Sequence, residues 1–309
     1  MALLKPEAAR GHAAMLAFSA LVAGSFALGT RAADLIDPAA LNAVRFWIAA
    51  GIIGTAVWWR GWPAGAARAP WRYGVLGGLF AIYFVLMFEG LKTAPPVSAA
   101  AVFTLVPLMA AGFAWLLLRQ VLHPRMALAL AIGAAGALWV IFRADLAALL
   151  SFDVGRGEAI YFLGCVSHAI YTPMVRRLNR GETAVTFTFG TSVAGGALLL
   201  VYAAPALIAV DWSTLPARVW VALLYTSFFA TACTVVLLQF ATLRLPSAKV
   251  MAYTYLTPSW VIVWEIALGN GVPTALVLGG VALTVLALLL LLRDDDPVPI
   301  PPARKSAGN

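Results

Sequence analysis

Ten apolar runs, each of roughly 18 to 25 residues, succeed one another along this chain, and that succession constrains the fold more than any other feature. They fall at about 12–31, 39–59, 71–91, 96–118, 124–142, 157–177, 184–204, 217–242, 247–268 and 273–292. Each can cross about 30 Å of hydrocarbon as a helix, which satisfies its own backbone hydrogen bonds in lipid. Pro38, Pro63, Pro70, Pro95, Pro96, Pro124, Pro205, Pro216, Pro246 and Pro273 lie at or near the breaks, where a missing N–H does least harm. With 62% hydrophobic and 11% charged residues, the chain has too little polar surface to coat a soluble body of 309 residues. The fold class expected is an all-α polytopic membrane protein with ten transmembrane helices. The Leu-rich runs 197–201 and 283–292 read as lipid-facing.

The net charge of +8 acquires meaning once it is sorted by loop. One set of ends holds Lys5, Arg10, Arg60, Arg68, Arg72, Arg119, Arg125, Arg176, Arg177, Arg180, Arg244, Lys249, Arg293, Arg304 and Lys305. The other holds Arg31, Lys92, Arg143, Arg156 and Arg218. Fifteen against five is a positive-inside bias that places both termini in the cytoplasm. The basic balance is then topology, and no nucleic-acid partner is expected. Trp47, Trp58, Trp59, Trp62, Trp71 and Trp212 sit near span ends and fit an interfacial belt. Cys165 and Cys233 lie in apolar runs without a CxxC or Cys/His cluster, so neither a disulfide framework nor a metal site is expected. Lys5 and Arg10 before the first run give it some character of a signal peptide, but that run completes a repeat and is read as a span.

The segments SAAAVFTLVPLMAAGFAWLLLRQ from Ser98 and KVMAYTYLTPSWVIVWEIALGNG from Lys249 share a plan. Each follows a proline, holds a mid-span proline nine residues on (Pro107, Pro258) and precedes a Gly-rich span. The offset of 151 residues is close to half the chain, which points to two units of five spans. Because five is odd, the second unit enters the membrane in the opposite sense, giving inverted repeats. The expected divisions are a cytoplasmic N-terminus at 1–11, a first five-helix unit at 12–143, a periplasmic connecting loop at 144–156, an inverted second unit at 157–292 and a cytoplasmic tail at 293–309. That tail, with Asp294, Asp295 and Asp296 and many prolines, reads as solvated and disordered.

The ten-span plan, the small-residue-rich span leading to a mid-helix proline and the duplicated unit resemble the drug/metabolite transporter superfamily and its EamA-type repeats, over residues 12 to 292. Such repeats commonly carry a Glu thirteen residues after the mid-helix proline, where this chain has Gln120 and Gly271, so one familiar charged position is missing. The aromatic and Thr-rich second half is similar to YddG-type amino-acid exporters. The resemblance implies export of small metabolites across a bacterial inner membrane by alternating access, without ATP. Amino acids, including aromatic or other apolar ones, lead the substrate classes it implies, with other small organic metabolites or drugs as the alternative. It also implies a monomer or weak homodimer in the lipid bilayer, with a small-molecule substrate and no cofactor.

Polar groups inside a bilayer face the bundle interior, so the candidate pathway lies on polar and aromatic stripes at helical spacing. Span six offers Tyr161, His168, Tyr171 and Thr172, with His168 at mid-depth and Pro173 placed to loosen the helix below it. The alternative is a histidine satisfied by a neighbouring helix. Span three offers Phe80, Tyr83, Met87 and Gly90; span four Phe103, Thr104 and Pro107; span eight Ser227, Thr231 and Thr234; span nine Tyr253, Thr257, Pro258, Trp260 and Trp264. The substrate-lining set is Tyr83, Met87, Phe103, Thr104, His168, Tyr171, Ser227, Thr231, Tyr253, Thr257 and Trp260, around a midplane cavity. Pro107 and Pro258 are candidate hinges, and Gly24, Gly78, Gly90, Gly164 and Gly190 would let helices bend. Arg45, Glu89 and Glu265 lie toward the outer side, where they could snorkel or pair as a gate, while Glu89 and Lys92 form an i,i+3 pair. Enzyme classes are disfavoured. His12, His123 and His168 stand apart, the acidic cluster follows the last span, and there is no GxxxxGK[ST] loop.

Overall fold

A computed structural model describes residues 6–61, 63, 65–121, 124–142, 144–151 and 154–292. Lys5, Trp62, His123, Arg143 and the tail from Arg293, with Asp294 to Asp296, lie outside the described residues. The described residues form α1 (Pro6–Ala33), α2 (Pro38–Arg60), α3 (Trp71–Leu91), α4 (Pro96–Phe103), α5 (Val106–Leu118), α6 (Pro124–Ile141), α7 (Leu146–Ser151), α8 (Arg156–Leu178), α9 (Ala184–Tyr202), α10 (Ala204–Ala209), α11 (Ala217–Ser227), α12 (Thr234–Thr242), α13 (Ser247–Ala252), α14 (Thr257–Ala267) and α15 (Ala275–Leu292), and contain no strand. A π-helical turn, Phe228–Cys233, joins α11 to α12, and a 3-10 turn, Tyr253–Leu256, joins α13 to α14.

Among the described residues, eight helical stretches are long and apolar enough to cross a membrane: Glu7–Ala33, Pro38–Arg60, Trp71–Leu91, Pro96–Leu118, Pro124–Ile141, Ala184–Tyr202, Ala217–Thr242 and Ala275–Leu292. α8 and the α13–α14 rod stand where the other two spans were expected but are not among the eight. α8 carries Glu158, Ser167, His168, Arg176 and Arg177, which reduce its apolarity. Exposed Leu283, Leu286 and Leu289 alternate with buried Leu288 and Leu291 on α15, so only one side of that Leu run faces outward. Trp58 and Trp59 are exposed at the end of α2. α1 covers Pro6–Ala33 and so includes part of the stretch expected as a cytoplasmic N-terminus, where Glu7 in its first turn pairs with Arg10 at 2.8 Å. The connecting stretch likewise holds α7, whose start is capped by Asp145 Oδ1 accepting from the Ala147 and Ala148 amides.

The prolines act where the backbone can spare a donor. Pro107 and Pro258 fall in the first turns of α5 and α14, just after the breaks that divide those rods. Pro173, by contrast, lies within the continuous helix α8. The five glycines expected to let helices bend also lie within unbroken helices. Four of them are also close packing contacts. The Tyr225 and Tyr73 side chains occupy the space beside Gly24 and Gly190, and Gly164 faces the Tyr83 carbonyl. A methyl on Gly90 would stand 2.6 Å from the Gly157 carbonyl oxygen and 2.9 Å from Tyr161 Cβ, so α3 and α8 touch backbone to backbone. α6 and α15 meet the same way at Gly136 and Gly280, and α3 and α9 at Gly77 and Gly195.

One end of α3 is pinned by a buried ion pair. Arg72 Nη2 donates to Glu182 Oε1 at 2.6 Å, and Nη1 donates to the Leu178 carbonyl at 2.7 Å, tying the start of α3 to the α8–α9 turn. Burial alone would raise the Glu182 carboxyl, but the Arg72 hydrogen bond and the Arg180 amide outweigh it and hold the group below its ordinary value.

Two outcomes follow. Gly90→Ala should lower the melting temperature in detergent by several degrees, a cost of about 1–3 kcal/mol. Gly51→Ala, with nothing within 4 Å of its added methyl, should leave it unchanged or slightly raised. Because Glu182 has a depressed folded value, its contribution is complete above the ordinary carboxylate range and disappears as pH falls through the folded value. Glu182→Gln should therefore cost about 3 kcal/mol at neutral pH. Its deficit against the native chain should shrink on acidification; a deficit independent of pH would contradict this account.

Candidate functional site

The α3–α8 contact sets the centre of the molecule. On α3, Phe80, Tyr83, Phe84 and Met87 follow the i, i+3, i+4, i+7 pattern of one helix face, and all are buried. On α8, Tyr161, His168 and Tyr171 do the same at steps of seven and three. Ser167 Oγ donates to the Leu79 carbonyl at 2.7 Å and locks the two helices in register. The His168 ring then stacks on Tyr83 at 4.4 Å between centroids and lies 5.5 Å from both Phe80 and Phe103. Tyr171 stacks on Phe80 at 4.3 Å, and Phe26 from α1 closes the group against Phe103 and Tyr161 at 5.9 Å each. Ring pairs of this kind are worth about 0.5–1.5 kcal/mol each beyond area burial.

Within this apolar box the hydroxyls find partners and the imidazole does not. The Tyr83 and Tyr161 hydroxyls share a 3.1 Å hydrogen bond, and Gln239 Nε2 donates to the Tyr171 hydroxyl at 2.9 Å. His168 is 1% exposed, and neither ring nitrogen has a hydrogen-bond partner among the described residues. An unsatisfied buried polar group of this sort costs about 1–3 kcal/mol, which marks the position as serving something other than stability. Gln239 Oε1 is a second unpartnered polar atom next to the same tyrosine. The expected cavity lining is thus packed ring against ring, and a solute would part these side chains to enter.

The other residues expected on the pathway separate into smaller groups. Arg45 is fully buried. Its Nε donates to Thr231 Oγ1 at 2.6 Å, Nη2 to the Ala230 carbonyl at 2.9 Å and Nη1 to Asn42 Oδ1 at 3.4 Å, with the Phe84 ring 3.7 Å beneath the guanidinium. The π-helical turn supplies Ala230 and Thr231; such widened turns recur at functional sites. Two turns inside α2, with carbonyl, hydroxyl and aromatic partners all around, Arg45 neither snorkels nor pairs with Glu265. Glu265 Oε2 instead accepts from Asn270 at 2.8 Å, and Glu89 pairs with Lys92 at 2.7 Å at a half-exposed site. No bond joins any two of Arg45, Glu89 and Glu265 among the described residues. Lys92 also lines a polar cleft of about 420 Å³ with Asp34, Asp37 and Asp211.

Tyr253 meets His12 at 3.0 Å near the start of α1, away from the central rings, and Trp260 Nε1 donates to Ser19 Oγ at 3.2 Å from a partly exposed position. Ser227 and Thr104 return their hydroxyls to the carbonyls of Leu223 and Ala101, while the buried Thr257 hydroxyl has no partner among the described residues. Asn42 and Phe84 were not singled out from sequence. The i,i+3 spacing of Asn42 and Arg45 inside an apolar run was the available signal.

The sequence profile of the EamA-like transporter family matches residues 9–142 and again 155–293. The chain is 26% identical over 282 residues to the uncharacterized transporter YyaM of Bacillus subtilis (strain 168), covering 89% of this chain and 91% of that protein. It is 33% identical over 130 residues to the aromatic amino acid exporter YddG of Ancylobacter novellus, covering 41% of this chain and 45% of that protein. A protein crystal structure shares the fold with a TM-score of 0.67 over 92% of this chain and 96% of that one, at 22% identity. The two profile matches together span nearly all of the ten expected runs, and the chain belongs to the EamA-like transporter family.

Proposed function

We propose that this protein exports small metabolites across a bacterial inner membrane by alternating access, with amino acids, aromatic and other apolar ones included, as the leading substrates. The observation that carries the reading is His168: a fully buried imidazole with both nitrogens unpartnered among the described residues, enclosed by Phe80, Tyr83, Phe103 and Tyr171. Aromatic walls hold an apolar side chain, and the imidazole, with Gln239 Oε1 nearby, orients the polar end. The partial similarity to an aromatic amino acid exporter supports that substrate class.

In this reading ten helical rods cross the membrane as two inverted units with both termini cytoplasmic. Two separate profile matches support the duplication. So does the packing. α2 lies on α9, and α6 on α15; α3 packs on α8 as α1 packs on the α11–α12 rod. Exchanging each rod for its counterpart five positions away maps that scheme onto itself, as inverted repeats require. The paired breaks near Pro107 and Pro258 are the hinges, and no enzyme chemistry is involved.

Counterflow of radiolabelled amino acids into proteoliposomes tests the reading. Saturable movement of phenylalanine or another apolar amino acid should fall at least tenfold in folded His168→Ala protein. Folded protein that moves no amino acid would remove that substrate class and direct the search to other small organic metabolites.

A further inference from the structure

Arg45 has the attributes of a binding group. It is 0% exposed, yet among the described residues no carboxylate stands within ion-pair distance of it. The contrast with Arg72 is direct. That buried guanidinium is neutralised by Glu182, whereas Arg45 has a hydroxyl, a backbone carbonyl, a long contact to Asn42 and a phenyl face. A guanidinium has five N–H groups, and three are engaged here, one of them at 3.4 Å. One N–H on each terminal nitrogen therefore remains free, the number a bidentate carboxylate needs. A charge left without a counter-ion inside a membrane bundle is a functional group by default.

Its surroundings name the rest of the ligand. Phe84, beneath the guanidinium, lies 4.8 Å from the Tyr83 ring and 4.9 Å from Phe80, and both of those rings contact His168. An aromatic surface continuous with the rings around His168 therefore lies against the guanidinium.

We propose that Arg45, held by the π-helical turn at Ala230 and Thr231, is the carboxylate-binding group for the transported solute, which is an organic acid or zwitterion with an apolar body. This deepens the transport reading above and rests on it. The carboxylate supplies the counter-charge that the protein omits, and Asn42 gives up its long contact to the incoming oxygen. Solutes of the same shape lacking the carboxylate are discriminated against, because they leave the guanidinium as it was.

The test is thermal protection of purified protein by phenylalanine and 3-phenylpropanoate, against phenylalaninamide and 3-phenylpropanamide, followed by counterflow of the same four. The acids should protect the native chain at concentrations at least tenfold lower than the amides. Arg45→Gln should lose that discrimination while its response to the amides stays as it was; a purely structural role would move acids and amides alike. Arg45→Lys, which keeps the charge and loses the fork, should also lose at least tenfold toward the acids. Equal protection of the native chain by acids and amides overturns the proposal even if Arg45→Gln fails to fold. Native discrimination in Arg45→Gln or Arg45→Lys overturns it as well. Repeating the measurement in nanodiscs separates a soluble acid from a lipid headgroup: Arg45-dependent protection by phosphatidylglycerol, with none from the acids, overturns the solute reading. If no amino acid crosses proteoliposomes yet 3-phenylpropanoate protects through Arg45, the amino-acid substrate fails and the carboxylate site stands. If amino acids cross and Arg45→Gln handles acid and amide like the native chain, the site fails and transport stands.

Discussion

The centre of this molecule depends on α3 and α8 lying backbone to backbone. In lipid, apolar side chains gain little by leaving the solvent for one another, so helices associate through close packing and buried polar bonds. The Gly90–Gly157 contact and the Ser167 bond to the Leu79 carbonyl supply both. At that separation side chains from the two helices stack as flat rings, and His168 is enclosed between Tyr83 and Phe80. A wider crossing would admit larger gaps, and the imidazole would lose its dry environment.

Three guanidinium groups, two buried and one part-buried, are handled in three ways in the same bundle. Arg72 is neutralised by Glu182 and by carbonyls at the α8–α9 turn. Arg176 donates to the Thr242 and Leu245 carbonyls at the end of α12, where the helix dipole favours a cation. Arg45 alone of these three takes its hydrogen bonds from the middle of a helical rod, which is possible because the π-helical turn leaves a carbonyl within its reach. Two of the three close helix ends; the third stands beside the aromatic centre.

Much of the architecture was legible because lipid removes choices. A run of apolar residues between prolines has one backbone solution, so the helix limits at Trp71–Leu91, Pro124–Ile141 and Pro96–Leu118 lie within a residue of the apolar runs. The buried stripe of Tyr161, His168 and Tyr171 was legible for the same reason, since polar groups on a span turn inward. Less legible was the partner of each inward group. Thr231 read as a pathway hydroxyl on span eight and proved to be bonded to Arg45; Tyr253 read as part of the span-nine stripe and lies against His12. Both assignments depend on which helix stands opposite, and helical spacing carries no information about that.

The sequence by itself determined the class of the molecule, its helical segments, its internal duplication and the inward faces of its helices. These follow from local rules: hydrocarbon thickness, backbone self-satisfaction and the fixed turn of an α-helix. Tertiary structure alone decided that Gly24, Gly90 and Gly164 are close packing contacts, that Arg45 is sealed inside with no acid beside it among the described residues, and that the central rings fill one another's space. Each of those is a relation between residues far apart in the chain, set by how closely two helices approach, and no single span contains it.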